Sequence, residues 1–232
     1  MRKEDQQDVR TLPLFAGMDA ENFADLMRVA YLQTFPPQVQ LIAEGETADF
    51  LHVVVAGTVE LFAQSNGRET TMAVVRPVST FILAAVLKDA AYLMSARTLE
   101  KSRILLIPAE DIRAVMERDA DFDRAIILEL ASCYRAVVKA QKDLKLRTGA
   151  ERLANYLLRL QAMQGGDGTL TLETDKRTLA GRLGMTPENL SRAFSTLRPY
   201  GVIVKGTEIE LSDPNDLEKL AKPNPLIDDP SV

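Results

Sequence analysis

Glu188, Ser191 and Arg192 stand at positions i, i+3 and i+4 in the run TPENLSRAFSTLR. On a helix, that spacing puts a carboxylate, a hydroxyl and a guanidinium on one face. The set can read base edges. Arginine grips guanine O6 and N7 with two bonds, glutamate accepts from cytosine N4, and serine bonds a base or a phosphate. The chain holds two other groups with chemistry of their own, its one histidine, His52, and its one cysteine, Cys133. A single histidine cannot build a multi-histidine zinc or iron site. A single cysteine cannot form an intramolecular disulfide or a four-thiolate iron–sulfur cluster. His52 lies inside the apolar run FLHVVV, so no Ser-His-Asp arrangement suggests itself, and the chain reads as no enzyme.

The elements that must present the three residues are legible around them. Lys176 to Leu183 reads as one short helix, and Gly184 makes a tight turn with Met185 beside it. Thr186 caps a second helix, Pro187 takes its first position, and Glu188 lies in its first turn. Ala180 is small where two helices must cross, and Leu179, Leu183, Leu190 and Phe194 can fill a shared core. Val202 to Leu211 then reads as a hairpin turning at Gly206. The whole is expected to be a winged helix-turn-helix, its second helix sized for a major groove. Thr186, Arg177 and Lys205 join the three reading residues as candidate DNA contacts.

Charge follows the same division. The net charge is −5, but residues 147–206 hold nine Lys and Arg against five acids, leaving +4. Residues 207–232 hold two Lys against seven acids, leaving −5. The GGDG run at 165–168 reads as a loop, and residues 214–232 as an acidic tail.

Upstream, residues 20–31 carry Phe23, Leu26, Met27 and Ala30 at helical spacing. From Gln33 to Pro108, short apolar runs alternate with turn signals, among them Asn66-Gly67, a strong hairpin signal. This predicts an antiparallel β-roll or jelly roll over 1–120. A long helix follows over 121–146, with Ile127, Leu130, Tyr134, Val137 and Leu144 in a heptad seam that Gln141 interrupts. A second stripe, Phe122, Ala125, Ile126, Cys133 and Val138, faces elsewhere. One stripe can pack on the roll and the other on a second copy of the helix, which implies a homodimer. The DNA-binding domain is placed at 147–213, making the fold class α+β. No apolar run approaches the ~20 residues of a membrane span, and MRKEDQQDVRTLP lacks a signal peptide's apolar core. A cytoplasmic protein with no membrane partner is expected.

In these motifs the chain resembles the CRP/FNR superfamily of bacterial transcription regulators, over about residues 10 to 213. The likeness rests on GETADFLHVVVAGTVELF (45–62), Phe81, Ser95-Ala96, the long helix, and LGMTPENLSRAFSTLR with VKGTEIEL behind it. Glu188-x-x-Ser191-Arg192 matches an FNR-like reading motif. The resemblance implies double-stranded DNA with palindromic, TTGA-like half-sites as partner, and RNA polymerase where the protein activates. It also implies a cyclic-nucleotide-binding-like sensor fold.

The segment FILAAVLKDAAYLM (81–94) departs from the nucleotide-binding members. By the resemblance, Leu83 stands where they carry glycine, Ala84 where a glutamate holds the ribose, and Met94 where an arginine holds the phosphate; Ser95 alone survives. A cyclic phosphate there would lose most of its partners, so cyclic AMP or GMP is not expected as effector. An iron–sulfur cluster is not expected either. A gas, redox or apolar signal fits such a wall better, as in the nitric-oxide-responsive branch of the superfamily. The candidate effector pocket comprises His52, Leu83, Ala84, Met94 and Ser95. His52 is a candidate heme ligand, with Met72, Met94, Tyr92, Lys88 or the N-terminal amine opposite it; the plainer reading makes it a structural residue of a barrel strand, replacing the aromatic common there. The roll can also be collapsed and bind nothing, leaving an effector-independent regulator controlled by its abundance. Cys133 reads as packed core or as a redox switch.

Overall fold

The computed structural model describes residues 1–165 and 168–229. Thus Gly166 and Asp167, the middle of the expected GGDG loop, and Pro230 to Val232 lie outside the described residues. The helices are α1 (Lys3–Arg10), α2 (Pro13–Ala16), α3 (Ala20–Val29), α4 (Leu83–Lys88), α5 (Ala109–Met116), α6 (Ala120–Leu146), α7 (Gly149–Met163), α8 (Lys176–Arg182), α9 (Pro187–Leu197), α10 (Pro214–Ala221) and α11 (Pro225–Asp228). The strands are β1 (Tyr31–Phe35), β2 (Gln40–Ile42), β3 (Phe50–Ala56), β4 (Val59–Ser65), β5 (Arg68–Val75), β6 (Ser79–Phe81), β7 (Ser95–Thr98), β8 (Ser102–Pro108), β9 (Thr169–Thr171), β10 (Val202–Lys205) and β11 (Glu208–Leu211). The chain divides into two compact units, Met1–Tyr134 and Arg135–Val232.

The first unit is the antiparallel β-roll. Its two four-stranded sheets have the orders β1-β8-β3-β6 and β2-β7-β4-β5. Alternation along the strands puts Leu51, Val53, Leu105 and Ile107 on one face of the first sheet, and Ile42, Val59, Leu61 and Ala96 on one face of the second, and all eight belong to one core. Asn66 and Gly67 both take positive φ, 51° and 71°, and close the two-residue turn between β4 and β5. Asp19 caps α3, accepting from the amides of Glu21 and Asn22. Asp119 accepts from the amides of Phe122 and Asp19, both at 2.9 Å, and so ties the start of α6 to α3. Phe122 and Ile126 are fully buried, and Ala125 and Leu130 pack on the same core.

The segment 81–94 folds differently from a cavity wall. Ile82 takes a left-handed conformation (φ 58°, ψ 29°), unusual for a β-branched residue, and turns the chain from β6 into α4. That turn drives Leu83, Ala85 and Val86 into the core. An apolar run this short is ambiguous between strand and buried helix, which is why the sequence pattern missed α4.

The second unit packs Leu153, Leu157 and Leu160 of α7 against α8, α9 and the hairpin β10–β11. Thr148 and Glu151 form a capping box at the start of α7. β9 adds to the hairpin, giving a three-stranded sheet of order β10-β11-β9. Residues 214–229 are not a solvated tail. Asp213 caps α10, Pro214 takes its first position, and Leu217 and Ala221, one turn apart, are buried in the core. The acidic composition hid these two apolar anchors.

Candidate nucleic-acid interface and the interior of the roll

The helix-turn-helix is built by caps and a turn. Asp175 accepts from the Thr178 amide at 2.7 Å and starts α8. The chain then reverses at Gly184 (φ +62°), whose amide donates to Gly181 O, while the Met185 amide donates to Ala180 O, both at 2.8 Å. Thr186 accepts from the Asn189 amide at 3.3 Å, with Pro187 next, and starts α9. Leu190, Ala193, Phe194 and Leu197 bury one face of α9.

The opposite face is open, and it carries Glu188, Ser191 and Arg192 together, with Ser195 and Thr196 alongside. The Thr186 hydroxyl, first among its neighbours, holds the Glu188 carboxyl below the usual carboxylate range, so it stays an acceptor. Ser191, Ser195 and Thr196 each donate to the carbonyl four residues back, at 3.0, 3.1 and 3.0 Å. Their oxygens keep lone pairs for an incoming donor. Arg192 contacts the Asn189 side-chain oxygen, an exposed partner it can exchange.

The cations of residues 147–206 divide into two kinds. Arg147 and Arg159 pair with Asp228. Arg152 is buried, donating to Leu183 O at 2.8 Å and Arg147 O at 2.6 Å. The Arg182 guanidinium lies 5.3 Å from the Tyr156 ring centroid. These four hold the domain together, so the +4 of the sequence overstates the basic surface. Lys176, Arg177, Arg192, Arg198 and Lys205 are exposed. Lys205 pairs with Glu210 at 2.8 Å. Lys176 and Arg198 were absent from the sequence-derived contacts; their place beside the two helix ends was the available signal.

On α6, Ile127, Tyr134, Val137 and Leu144 are all exposed, at 56%, 69%, 59% and 44%, whereas Leu130 turns toward the roll's core. Leu144 has a second role: its Cδ2 fills the space that a Cβ on Gly184 would need. Of the second stripe, Val138 stays 40% exposed and Cys133 is half-buried.

The five candidate pocket residues do not converge on one cavity. His52 is buried, its Nδ1–H donating to Phe50 O at 3.1 Å and its ring 5.0 Å from that of Phe81. Burial pulls its pKa down to about 4 against the opposing carbonyl bond, so the ring is neutral. Leu83 is core, Met94 packs against the core, and Ala84 is exposed. Ser95 pairs across the sheet with Phe62, on the face opposite Ala96 and Leu61, and accepts from the Glu44 amide at 3.0 Å. It lines a surface cavity of about 610 Å³ with Gln40, Phe62, Asn66, Glu69 and Arg97, but not with the other four. Arg97 cannot stand in for a phosphate-holding arginine. Its guanidinium bonds Glu60 at 2.7 Å and Glu69 at 2.9 Å, 4.3 Å from the Phe62 ring centroid.

A heme does not fit these residues. The His52 ring is buried and closed in against Phe81, and Met72 and Lys88 lie exposed.

The chain matches the profile of the cyclic nucleotide-binding domain over residues 32–119 and that of the Crp-like helix-turn-helix domain over 151–220. It is 22% identical over 215 residues to the CRP-like cAMP-activated global transcriptional regulator of Mycobacterium tuberculosis, covering 90% of this chain and 96% of that one. A solved regulatory protein from Silicibacter pomeroyi DSS-3, assigned to cAMP binding, is 30% identical, with a TM-score of 0.60, over 96% of this chain and all of that one. FixK2 from Bradyrhizobium japonicum shares the fold, with a TM-score of 0.70 and 24% identity over 83% of this chain and 97% of that one. These relatives are regulators rather than enzymes, and among the described residues no helix is long and apolar enough to cross a membrane. The roll and the capped helix-turn-helix, each matched by its profile, together with 30% identity to a solved regulatory protein over 96% of this chain, place the chain in the CRP/FNR superfamily of transcription regulators.

Proposed function

We propose that the protein is a homodimeric, sequence-specific DNA-binding regulator that reads an inverted repeat of TTGA-like half-sites and is not controlled by cyclic nucleotide. The observation that carries this reading is α9. It is capped by Thr186 and anchored by four buried apolar residues, and it presents Glu188, Ser191 and Arg192 on one open face. Arg177, Arg198 and Lys176 supply phosphate contacts, with Lys205 joining once it exchanges Glu210 for DNA. The exposed Ile127, Tyr134, Val137 and Val138 of α6 support pairing with a second copy. The two reading helices would then lie about 34 Å apart, one turn of duplex. Where the protein activates, RNA polymerase is its further partner.

Cyclic AMP activates the mycobacterial relative. Here, Leu83, Ala84 and Met94 provide no group for a ribose or phosphate, and Arg97 is engaged by two carboxylates. A gas, redox or apolar signal is the effector class left for a roll whose residues Leu83, Ala84 and Met94 offer no polar group to a nucleotide. A second reading, control by abundance alone, is favoured by one contact. Glu129 of α6 accepts from the Thr80 amide at 3.2 Å and its hydroxyl at 2.9 Å, joining roll to helix by direct contact. The test is fluorescence anisotropy of purified protein on a palindromic TTGA duplex, with and without cyclic AMP, and with an anaerobic absorption spectrum. Tight binding unchanged by cyclic AMP supports the proposal. Binding that requires cyclic AMP overturns the account of the roll, and a Soret band restores heme.

A further inference from the structure

The helix-turn-helix profile ends at residue 220, yet the chain beyond it is closely engaged. α6 ends at Leu146 and α7 begins at Gly149, so Arg147 and Thr148 form a two-residue joint. The Arg147 side chain, only 7% exposed, grips Asp228 with both arms, Nη1 to Oδ1 at 2.9 Å and Nη2 to Oδ2 at 2.5 Å. Nη1 also bonds Asp143 of α6 at 2.8 Å. From α7, Arg159 bonds the same Asp228 carboxylate. The Asn224 amide donates to Asp228 Oδ2 at 2.7 Å and orients it. Further along α6, Lys139 Nζ donates to Asp229 O at 2.7 Å, and from α7 Asn155 donates to Ala221 O at 2.6 Å. One carboxylate therefore ties the joint to α7 directly, through Arg159, and to α6 through Arg147 and Asp143, in a setting dry enough for charge to act strongly.

We propose that residues 222–229 are a strap that sets the direction in which α6 leaves the DNA-reading domain. Asp228 is its positioning residue, and through it the strap fixes the separation of the two reading helices. The last step rests on the dimeric reading above; the strap itself does not. A two-residue joint without the strap leaves the α6–α7 angle to soft torsions, and a dimer with soft joints tolerates more than one half-site spacing. With the strap, one spacing is favoured.

The experiment compares full-length wild type, Asp228→Asn, Asp228→Glu and Arg159→Gln. Hydrogen exchange over residues 144–150 reads the joint, with residues 190–197 of α9 as internal control. Affinities for palindromes with the preferred spacer and with one base pair added read the spacing. Asp228→Asn is expected to speed exchange at the joint about tenfold and leave the control unchanged. It is also expected to cut the spacing discrimination about fivefold while sparing a single half-site. Arg159→Gln should do the same more weakly, and Asp228→Glu should restore part of both. Unchanged exchange at the joint, or a loosened joint with unchanged spacing discrimination, overturns the proposal. A wild type indifferent to spacing overturns the dimeric reading instead, and exchange still decides whether the strap exists.

Discussion

Leu144 Cδ2 sits where a Cβ on Gly184 would have to go. The turn of the helix-turn-helix thus rests directly on the last turns of α6, and it can do so only because residue 184 has no side chain. Gly184→Ala meets two penalties, a positive φ costing ~1–2 kcal/mol and an overlap costing ~1–3 kcal/mol. The double variant Gly184→Ala/Leu144→Ala is expected to recover the overlap and keep the φ cost. A double-mutant cycle by urea unfolding checks this. Strict additivity would show that the two residues do not press on one another.

Arg192 faces solvent and its side chain bonds the exposed, exchangeable Asn189, so its loss should leave folding intact. Arg192→Ala is expected to lose ~1–3 kcal/mol of operator binding and to relax one base position. Thr186→Ala removes the cap of α9 and is expected to cost about 1 kcal/mol of stability. Binding to operators with each base pair varied in turn, together with thermal unfolding, separates reading from folding. An Arg192→Ala protein of unchanged selectivity would move the reading face elsewhere.

His52 is buried neutral, with its pKa at about 4 in the folded protein against 6.5 unfolded. The unfolded chain binds the proton first on acidification. His52's contribution is therefore complete above pH 6.5 and is lost as pH falls from 6.5 through about 4. The loss amounts to ~3 kcal/mol. His52→Phe, which can still pack on Phe81, is expected to flatten that part of the pH–stability curve relative to wild type. Parallel curves for the two proteins would show that the ring titrates normally, and so is not enclosed.

Val137 is 59% exposed at the seam of α6, beside Tyr134. Val137→Glu places like charges across a two-fold axis and is expected to shift sedimentation from dimer to monomer at micromolar concentration, with the roll's circular dichroism retained. A variant that sediments as wild type does would place the dimer contact off this seam.

Much of this architecture is written locally. Thr186, Pro187 and Glu188 announce a helix start, Gly184 the turn before it, and Asn66-Gly67 a hairpin. Each acts through its own backbone preference, so no tertiary knowledge is needed. What escaped were relations between distant residues. Arg147 and Arg159 look like DNA-seeking cations until Asp228, some seventy to eighty positions later, is seen between them. Ser95 matches its family motif yet lies on the far side of its sheet from Ala96, because strand parity allows neighbours only opposite faces. α4 escaped because a short run, apolar all round, carries no period to read.

The central claim is that a paired molecule presents two copies of α9 to one DNA site. Titrating wild-type protein onto a TTGA palindrome and onto its scrambled counterpart at physiological salt, with stoichiometry measured in the same samples, tests it most directly. The account predicts two chains per duplex and a preference of at least ~10³-fold for the palindrome, with affinity falling steeply as salt rises. One chain per duplex, or equal affinity for both sequences, would contradict it.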